Sequence, residues 1–267
     1  QENDIWIWDL ERETLTKLTT NTGADSWPIW TPDGTHIVFA SSRDGLGPNL
    51  FLQRADFTGV AERLTTSDEP QTPHSFSPDG KALIVQASVP GSSTDLSLMA
   101  MDGLLSGKPA TGKIDPQPLI HTPAAEAAGE ISPDGRWIAY YSNSSTVNEV
   151  YVRAFPNVDS GGQWQISPAG GTRPAWSRNG REFFYLDLNG AMMAVPVQTT
   201  PTFSASKPTK LFDANWWAVL TGRMYDVTAD GQRFLAIKDL SSDSESATPQ
   251  TFTVVVNWIE ELKVKQP

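Results

Sequence analysis

Three histidines, His36, His74 and His121, are the only imidazoles in a chain of 267 residues that contains no cysteine. No two of them stand at metal-ligand spacing on one element, so His36 and His121 are expected to be ordinary strand residues. The missing thiols exclude a cysteine nucleophile, a thiolate metal centre and disulfides. The serine route is closed as well, because an acyl-transfer nucleophile sits on a strained elbow and G-x-S-x-G does not occur. "GLLSGKPATGK" at 103 to 113 has the glycines and lysines of a phosphate loop. Neither Gly-Lys pair is followed by Ser or Thr at the required distance from an earlier glycine, and the stretch reads as a flexible loop between strands.

What remains is a scattered set of polar side chains: Asp25, Gln71, Glu126, Thr172 and Arg223, with His74, Glu130, Arg173 and Asp226 nearby in sequence. The elements that position them are written in a recurring phrase. "WTPDGTHIVFA" at 30 to 40 returns as "FSPDGKALIV", "ISPDGRWIAY", "WSRNGREFFY" and "VTADGQRFLA", with the turn glycines at Gly34, Gly80, Gly135, Gly180 and Gly231. The intervals of 46, 55, 45 and 51 residues are those of a repeat architecture. Asp-Gly or Asn-Gly makes each phrase a β-hairpin, since the glycine takes the positive φ that the turn requires. A third strand follows ("NLFLQRA", "DLSLMAM", "NEVYVRAF", "AMMAVPV"), then a fourth ("AERLTT", "QPLIHT", "QWQISP", "TKLFDA"). Four antiparallel strands in ~45 residues make one propeller blade. Helical periodicity competes only in the closing "WIEELKVK".

The chain is therefore expected to be all-β, a single propeller domain over residues 1–267. Five phrases plus a half-blade at residues 4 to 19 suggest a six-bladed plan with one incomplete blade; a five-bladed ring is the alternative. The half-blade and "TFTVVVNW" at 251 to 258 both have open edges, which would close the ring if the N- and C-terminal strands pair. Pairing within one molecule gives a monomer and pairing between molecules a strand-exchanged dimer; the monomer is favoured by effective concentration. The turn aspartates read as structural, because five equivalent copies cannot share one active site.

In such a fold the innermost strands line a central channel, and polar side chains converging there are the default ligand site. That makes Asp25, Gln71, His74, Glu126, Arg173, Arg223 and Asp226 candidate ligand-binding residues. Asp25 and Glu126 offer oxygen to a hard cation, Ca²⁺ by preference, which could polarise an ester or phosphoester. Simple pairing, for example of Glu126 with Arg173 or Arg223, is the structural alternative. Of the ten tryptophans, Trp27, Trp30, Trp137, Trp164 and Trp176 fall in strands and should pack between blades. The adjacent Trp216 and Trp217 lie in a loop-like stretch, where an exposed pair would suit stacking on a sugar or peptide.

A net charge of -11 argues against nucleic acid or an anionic membrane surface as the main partner. No apolar run approaches the ~20 residues of a membrane span. The chain begins at Gln1 without an apolar leader, as a processed chain or a cut-out fragment would.

The aromatic-S-P-D-G phrase with its apolar strand and closing R-L-T resembles the TolB-type, WD40-like propeller repeat over essentially the whole chain. "DIWIWDL", "RDGLGPNLF", "NEVYVRAFP", "GGTRPAWS", "YDVTADGQRFL" and "VVVNWIEEL" are similar to the C-terminal sensor propellers of bacterial receptor-type serine/threonine kinases. The fourth phrase departs from the pattern, with Arg178-Asn179 in place of Pro-Asp, though Asn-Gly still makes the turn. The resemblance implies a bacterial, periplasmic or otherwise extracytoplasmic chain that binds or senses a protein, peptide or small-molecule ligand, with no enzymatic residues and no required cofactor. No kinase Gly-rich loop, H-R-D or D-F-G is present. The alternative is a metal-assisted hydrolase of esters, lactones or phosphoesters, and a carbohydrate-binding propeller is a third reading resting on the tryptophans.

Overall fold

The computed structural model describes residues 3–45, 47–88, 93–103, 115–213 and 224–236. All regular structure among them is β. A two-stranded sheet opens the chain, β1 (Trp6–Asp9) with β2 (Thr14–Lys17). Then come β3 (Asp25–Trp30), β4 (His36–Ser41), β5 (Asn49–Arg54) and β6 (Glu62–Arg63) in one sheet, and β7 (Gln71–Phe76), β8 (Ala82–Ala87), β9 (Asp95–Ala100) and β10 (Gln117–Ile120) in the next. A third four-stranded sheet holds β11 (Glu126–Ile131), β12 (Trp137–Ser142), β13 (Glu149–Ala154) and β14 (Trp164–Gln165). The fourth comprises β15 (Thr172–Trp176), β16 (Glu182–Leu186) and β17 (Ala191–Gln198), with both β18 (Ser204–Ala205) and β19 (Thr209–Asp213) pairing β17. β20 (Tyr225–Val227) and β21 (Phe234–Ala236) form a two-stranded sheet. The first four repeats are thus antiparallel meanders and the fifth, among the described residues, a hairpin, and "DIWIWDL" and "LTKL" do form the paired strands β1 and β2 expected of a half-blade. The strand expected at 251 to 258 lies outside the described residues.

The chain divides into two compact units, residues 1–129 and 130–267, with the boundary inside β11. In the N-terminal unit, Val38, Ala40, Leu50 and Leu52 of one sheet share a core with Leu83, Val85 and Met99 of the next. Ile5 and Leu18 pack with Ile37, Phe39 and Phe51. The C-terminal unit repeats the plan with larger side chains, joining Trp137, Val150 and Val152 to Trp176, Phe183, Val195 and Phe203. Covered on both faces, the second strands are continuously apolar rather than alternating: Val38, Phe39 and Ala40 are wholly buried, as are Leu83, Ile84 and Val85. Each such Leu, Val or Phe side chain contributes about 1.5–3 kcal/mol of hydrophobic stabilisation.

Tryptophan packing follows the expectation with one correction. Trp137 and Trp176 are buried, Trp27 and Trp164 are half-buried against the cores, and Trp30 is 51% exposed. Exposure also marks the half-blade. Trp6, at the place taken by buried Phe51 and Tyr151 in complete sheets, is 50% exposed, and its neighbours Trp8 and Leu15 are 49% and 48% exposed.

Candidate functional site

Each inner strand has a turn end and a starting end. At the turn end all five repeats use one hydrogen-bond set. A hydroxyl two residues before the turn carboxylate or amide donates to its Oδ1, as Thr31 does to Asp33, Ser77 to Asp79 and Ser132 to Asp134, at 2.6 Å in each case. Ser177 does so to Asn179 at 2.8 Å, and Thr228 donates likewise to Asp230. The same oxygen accepts the backbone N–H two residues on, and the hydroxyl oxygen accepts the N–H that opens the second strand. The hydroxyl bond is the main cause holding the Asp33, Asp79 and Asp230 carboxyls below their ordinary range. These acids are occupied by the turn, the structural role read from the sequence. Asn179 takes the aspartate's part through its amide oxygen.

The starting end differs from sheet to sheet. Its register is set by a backbone bond in which the first residue's N–H donates to a carbonyl just ahead of the preceding sheet's third strand: Asp25 to Asn3, Gln71 to Pro48, Glu126 to Thr94 and Gly171 to Asn148, each at 2.8 Å. Asp25, Gln71 and Glu126 therefore correspond, nine residues before their turn glycine, but Thr172 stands one place later and Gly171 is the true counterpart.

The three corresponding side chains have different fates. Asp25 is buried, and both its oxygens accept from Arg43 Nη2 at 3.2 and 3.3 Å. The Arg43 guanidinium lies 4.4 Å from the Phe51 ring centre and 5.3 Å from that of Phe39, so stacking and ion pairing fix it together. Glu126, 1% exposed, has both carboxylate oxygens bonded by Thr122, through its N–H and its hydroxyl. Gln71, also buried, has no hydrogen-bond donor to its Oε1 among the described residues.

Farther along these strands comes a bulge. Pairing shifts between Ser26 and Ile29, Pro73 and Ser75, and Thr172 and Ala175. Trp27, Ala128 and Arg173, seven residues before their glycines, take the left-handed conformation with φ of 54, 53 and 54°, a costly choice for large side chains. Bulges of this kind re-aim side chains. His74, half-buried in the β7 bulge, places Nε2 2.8 Å from Gln86 Oε1, which also accepts from the Ala128 N–H. Half-buried Arg173 donates to the Thr172 hydroxyl, while its carbonyl accepts from Tyr225 at 2.7 Å. Burial pushes the Tyr141 phenol up, and the charge of Arg173 acts against that shift. Asp226 is exposed, with Oδ1 accepting the Val227 N–H. Arg223, Trp216 and Trp217 lie outside the described residues.

Two functional-looking groups escaped the sequence reading. Arg43 stands eighteen positions after Asp25, at the head of "RDGLGPNLF", a stretch that gives no sign of its partner. His121, expected to be an ordinary strand residue, follows β10 and pairs through Nδ1 with the buried carboxylate of Asp95. The available signal was positional: His121 occupies the place of the threonine in "RLTT". Among the described residues no three His, Cys, Asp or Glu side chains are grouped to hold a metal ion, and no helix among them is long and apolar enough to cross a membrane.

Meandering four-stranded antiparallel sheets with satisfied Asp-Gly turns define the class, an all-β propeller. Residues 1–118 match the TolB beta propeller domain family. Among solved structures, TolB from Acinetobacter baumannii superposes with a TM-score of 0.64 at 17% identity, covering 88% of this chain and 54% of that one. A TolB assigned in Agrobacterium tumefaciens gives 0.57 at 18%, over 75% and 71% of the two chains. A protein assigned as a 6-phosphogluconolactonase in Bacteroides uniformis gives 0.53 at 16%, over 87% and 69%. In sequence the chain is similar to the uncharacterised peptidase YuxL of Bacillus subtilis, 24% identical over 181 residues. That match takes in 56% of this chain and only 27% of YuxL.

Proposed function

We propose that this chain is a binding or sensor propeller, taking a protein, peptide or small-molecule ligand over the starting ends of its inner strands, with no reaction of its own. The observation that supports this most directly is the contrast between the two strand ends. Turn carboxylates, and the Asn179 amide in the fourth repeat, are consumed by architecture, whereas the starting ends carry a different buried polar residue in three sheets and a glycine in the fourth, as a surface specialised for one ligand would. The likeness to TolB supports a bacterial, extracytoplasmic setting, and the closer likeness to kinase sensor propellers belongs to the same proposal. The isolated domain, immobilised and exposed to bacterial envelope extract, should retain a defined partner that a Gln71→Ala variant loses. Absence of any partner, together with robust turnover of a small ester, overturns the reading.

The lactonase-named neighbour favours a second reading, hydrolysis of an ester, lactone or phosphoester assisted by Ca²⁺ on Asp25 and Glu126. It requires both carboxylates to exchange their Arg43 and Thr122 partners for the ion. Hydrolysis unaffected by a chelator and by Asp25→Ala and Glu126→Ala eliminates it.

A further inference from the structure

Four sheets fasten the end of their fourth strand to the start of the third, and one of them does it differently. After β2, β6 and β14 a buried Leu18, Leu64 or Ile166 is followed by a hydroxyl residue. The oxygens of Thr19, Thr65 and Ser167 accept the third-strand N–H of Ile5, Leu50 and Val150 at 3.0, 3.0 and 2.7 Å. β10 ends on buried Ile120, and the next residue is His121, whose Nδ1 meets Oδ2 of Asp95, the first residue of β9. The equivalent first residues of β5 and β13 are Asn49 and Glu149. Asn49 is bonded by the N–H of Ser67, and Glu149 by the hydroxyls of Ser145 and Tyr151.

A hydroxyl keeps its charge at every accessible pH, and an imidazole changes charge between about pH 5 and 8. The Asp95 side chain is 6% exposed and the imidazole 60%, so the ring exchanges protons with solvent while its partner stays inside. A carboxylate only accepts, so Nδ1 carries its hydrogen in both ring states. Protonation at Nε2 turns a bond from a neutral ring into an ion pair, and charge assistance roughly doubles the strength of a hydrogen bond. Among the described residues, Glu126 of β11, whose oxygens accept from Thr122, is a further carboxylate at this end of the neighbouring elements.

We propose that the His121–Asp95 pair is a pH-sensitive clasp that holds β10 to β9 more tightly in acid than in alkali, where three sister sheets use the hydroxyls of Thr19, Thr65 and Ser167. The clasp is at full strength where the ring is charged and weaker where it is neutral. Hydrogen exchange at the amide of Ile120, which pairs with Leu96 of β9, corrected for intrinsic rates, should show protection about fivefold higher near pH 5.5 than near pH 8. His121→Thr, which installs the fastener of the sister sheets, should keep the strand protected and flatten the ratio. Asp95→Asn, the residue found at the start of β5, should flatten it too. Equal protection at the two pH values in the wild type, or an undiminished ratio in His121→Thr, overturns the proposal.

Discussion

The two ends of the inner strands obey different rules. At the turn end, five repeats spread over the chain place a hydroxyl, an acid or amide oxygen and two backbone N–H groups in the same arrangement, and even the aberrant Arg178-Asn179 copy reproduces it. At the starting end, three corresponding residues are an ion-paired aspartate, a glutamine with an unbonded oxygen and a glutamate capped by threonine. A position that must satisfy local backbone geometry repeats its chemistry. One freed from that duty can diverge, and recognition can reside there.

The largest effect tests the starting end. Asp25 is fully buried as a side chain, and Arg43 is 16% exposed. Removing the guanidinium strands a carboxylate away from water and also exposes the faces of Phe39 and Phe51. Arg43→Ala should cost about 3 kcal/mol in urea unfolding, and adding Asp25→Asn should restore part of the loss. A cost below about 1 kcal/mol would put the pair in the class of surface bridges and weaken the contrast.

Next comes the turn end. Gly180 has φ of 67°, and a Cβ built on it meets nothing within 4 Å. The penalty of Gly180→Ala is therefore torsional alone, about 1–2 kcal/mol. A neutral substitution would show that the fourth turn tolerates another conformation and that the repeat is looser than its hydrogen bonds imply.

Gln71→Leu should move stability the other way. The Gln71 oxygen is buried without a donor, and replacing an unsatisfied acceptor with an apolar group of similar size should gain about 1 kcal/mol. A loss of that size would show that the oxygen holds an ordered water or a ligand, which would make Gln71 part of the recognition surface.

Legibility in the sequence follows the same division. The turns, their flanking strands and the half-blade could be read because a recurring Asp-Gly and continuous apolar strands are local signals with local causes. Asp25, Gln71 and Glu126 stand nine residues before their turn glycines and Thr172 only eight, and nothing in "GGTRP" reveals that the interstrand bond falls on Gly171. Arg43 and the His121–Asp95 pair were missed because their partners lie 18 and 26 residues away in sequence. Such pairings depend on how loops return to strand starts, and no periodicity records that. Trp30 was assigned to packing by its strand position, yet exposure is set by the neighbouring sheet, which the local pattern does not describe.

The smallest effect is the sharpest test of turn equivalence. Asn179→Asp restores the residue of the other four turns while keeping the bonds from Ser177 and the Arg181 N–H, so near neutral pH it should change stability by less than about 0.5 kcal/mol. The substitution adds a titrating group, and the sign of its effect follows from the sister turns. Asp33, Asp79 and Asp230 have carboxyls held below their ordinary range by hydroxyl and backbone donors. A carboxyl depressed in the folded state contributes stability above its unfolded pKa and loses it as pH falls through the folded value. The wild-type amide has nothing to lose in that interval, so the variant should unfold at lower urea than the wild type near pH 3 and at the same urea near pH 7. Identical acid sensitivity in the two proteins would mean that the introduced carboxyl is not held as its counterparts are, and the fourth turn would then be a different structure sharing only its glycine.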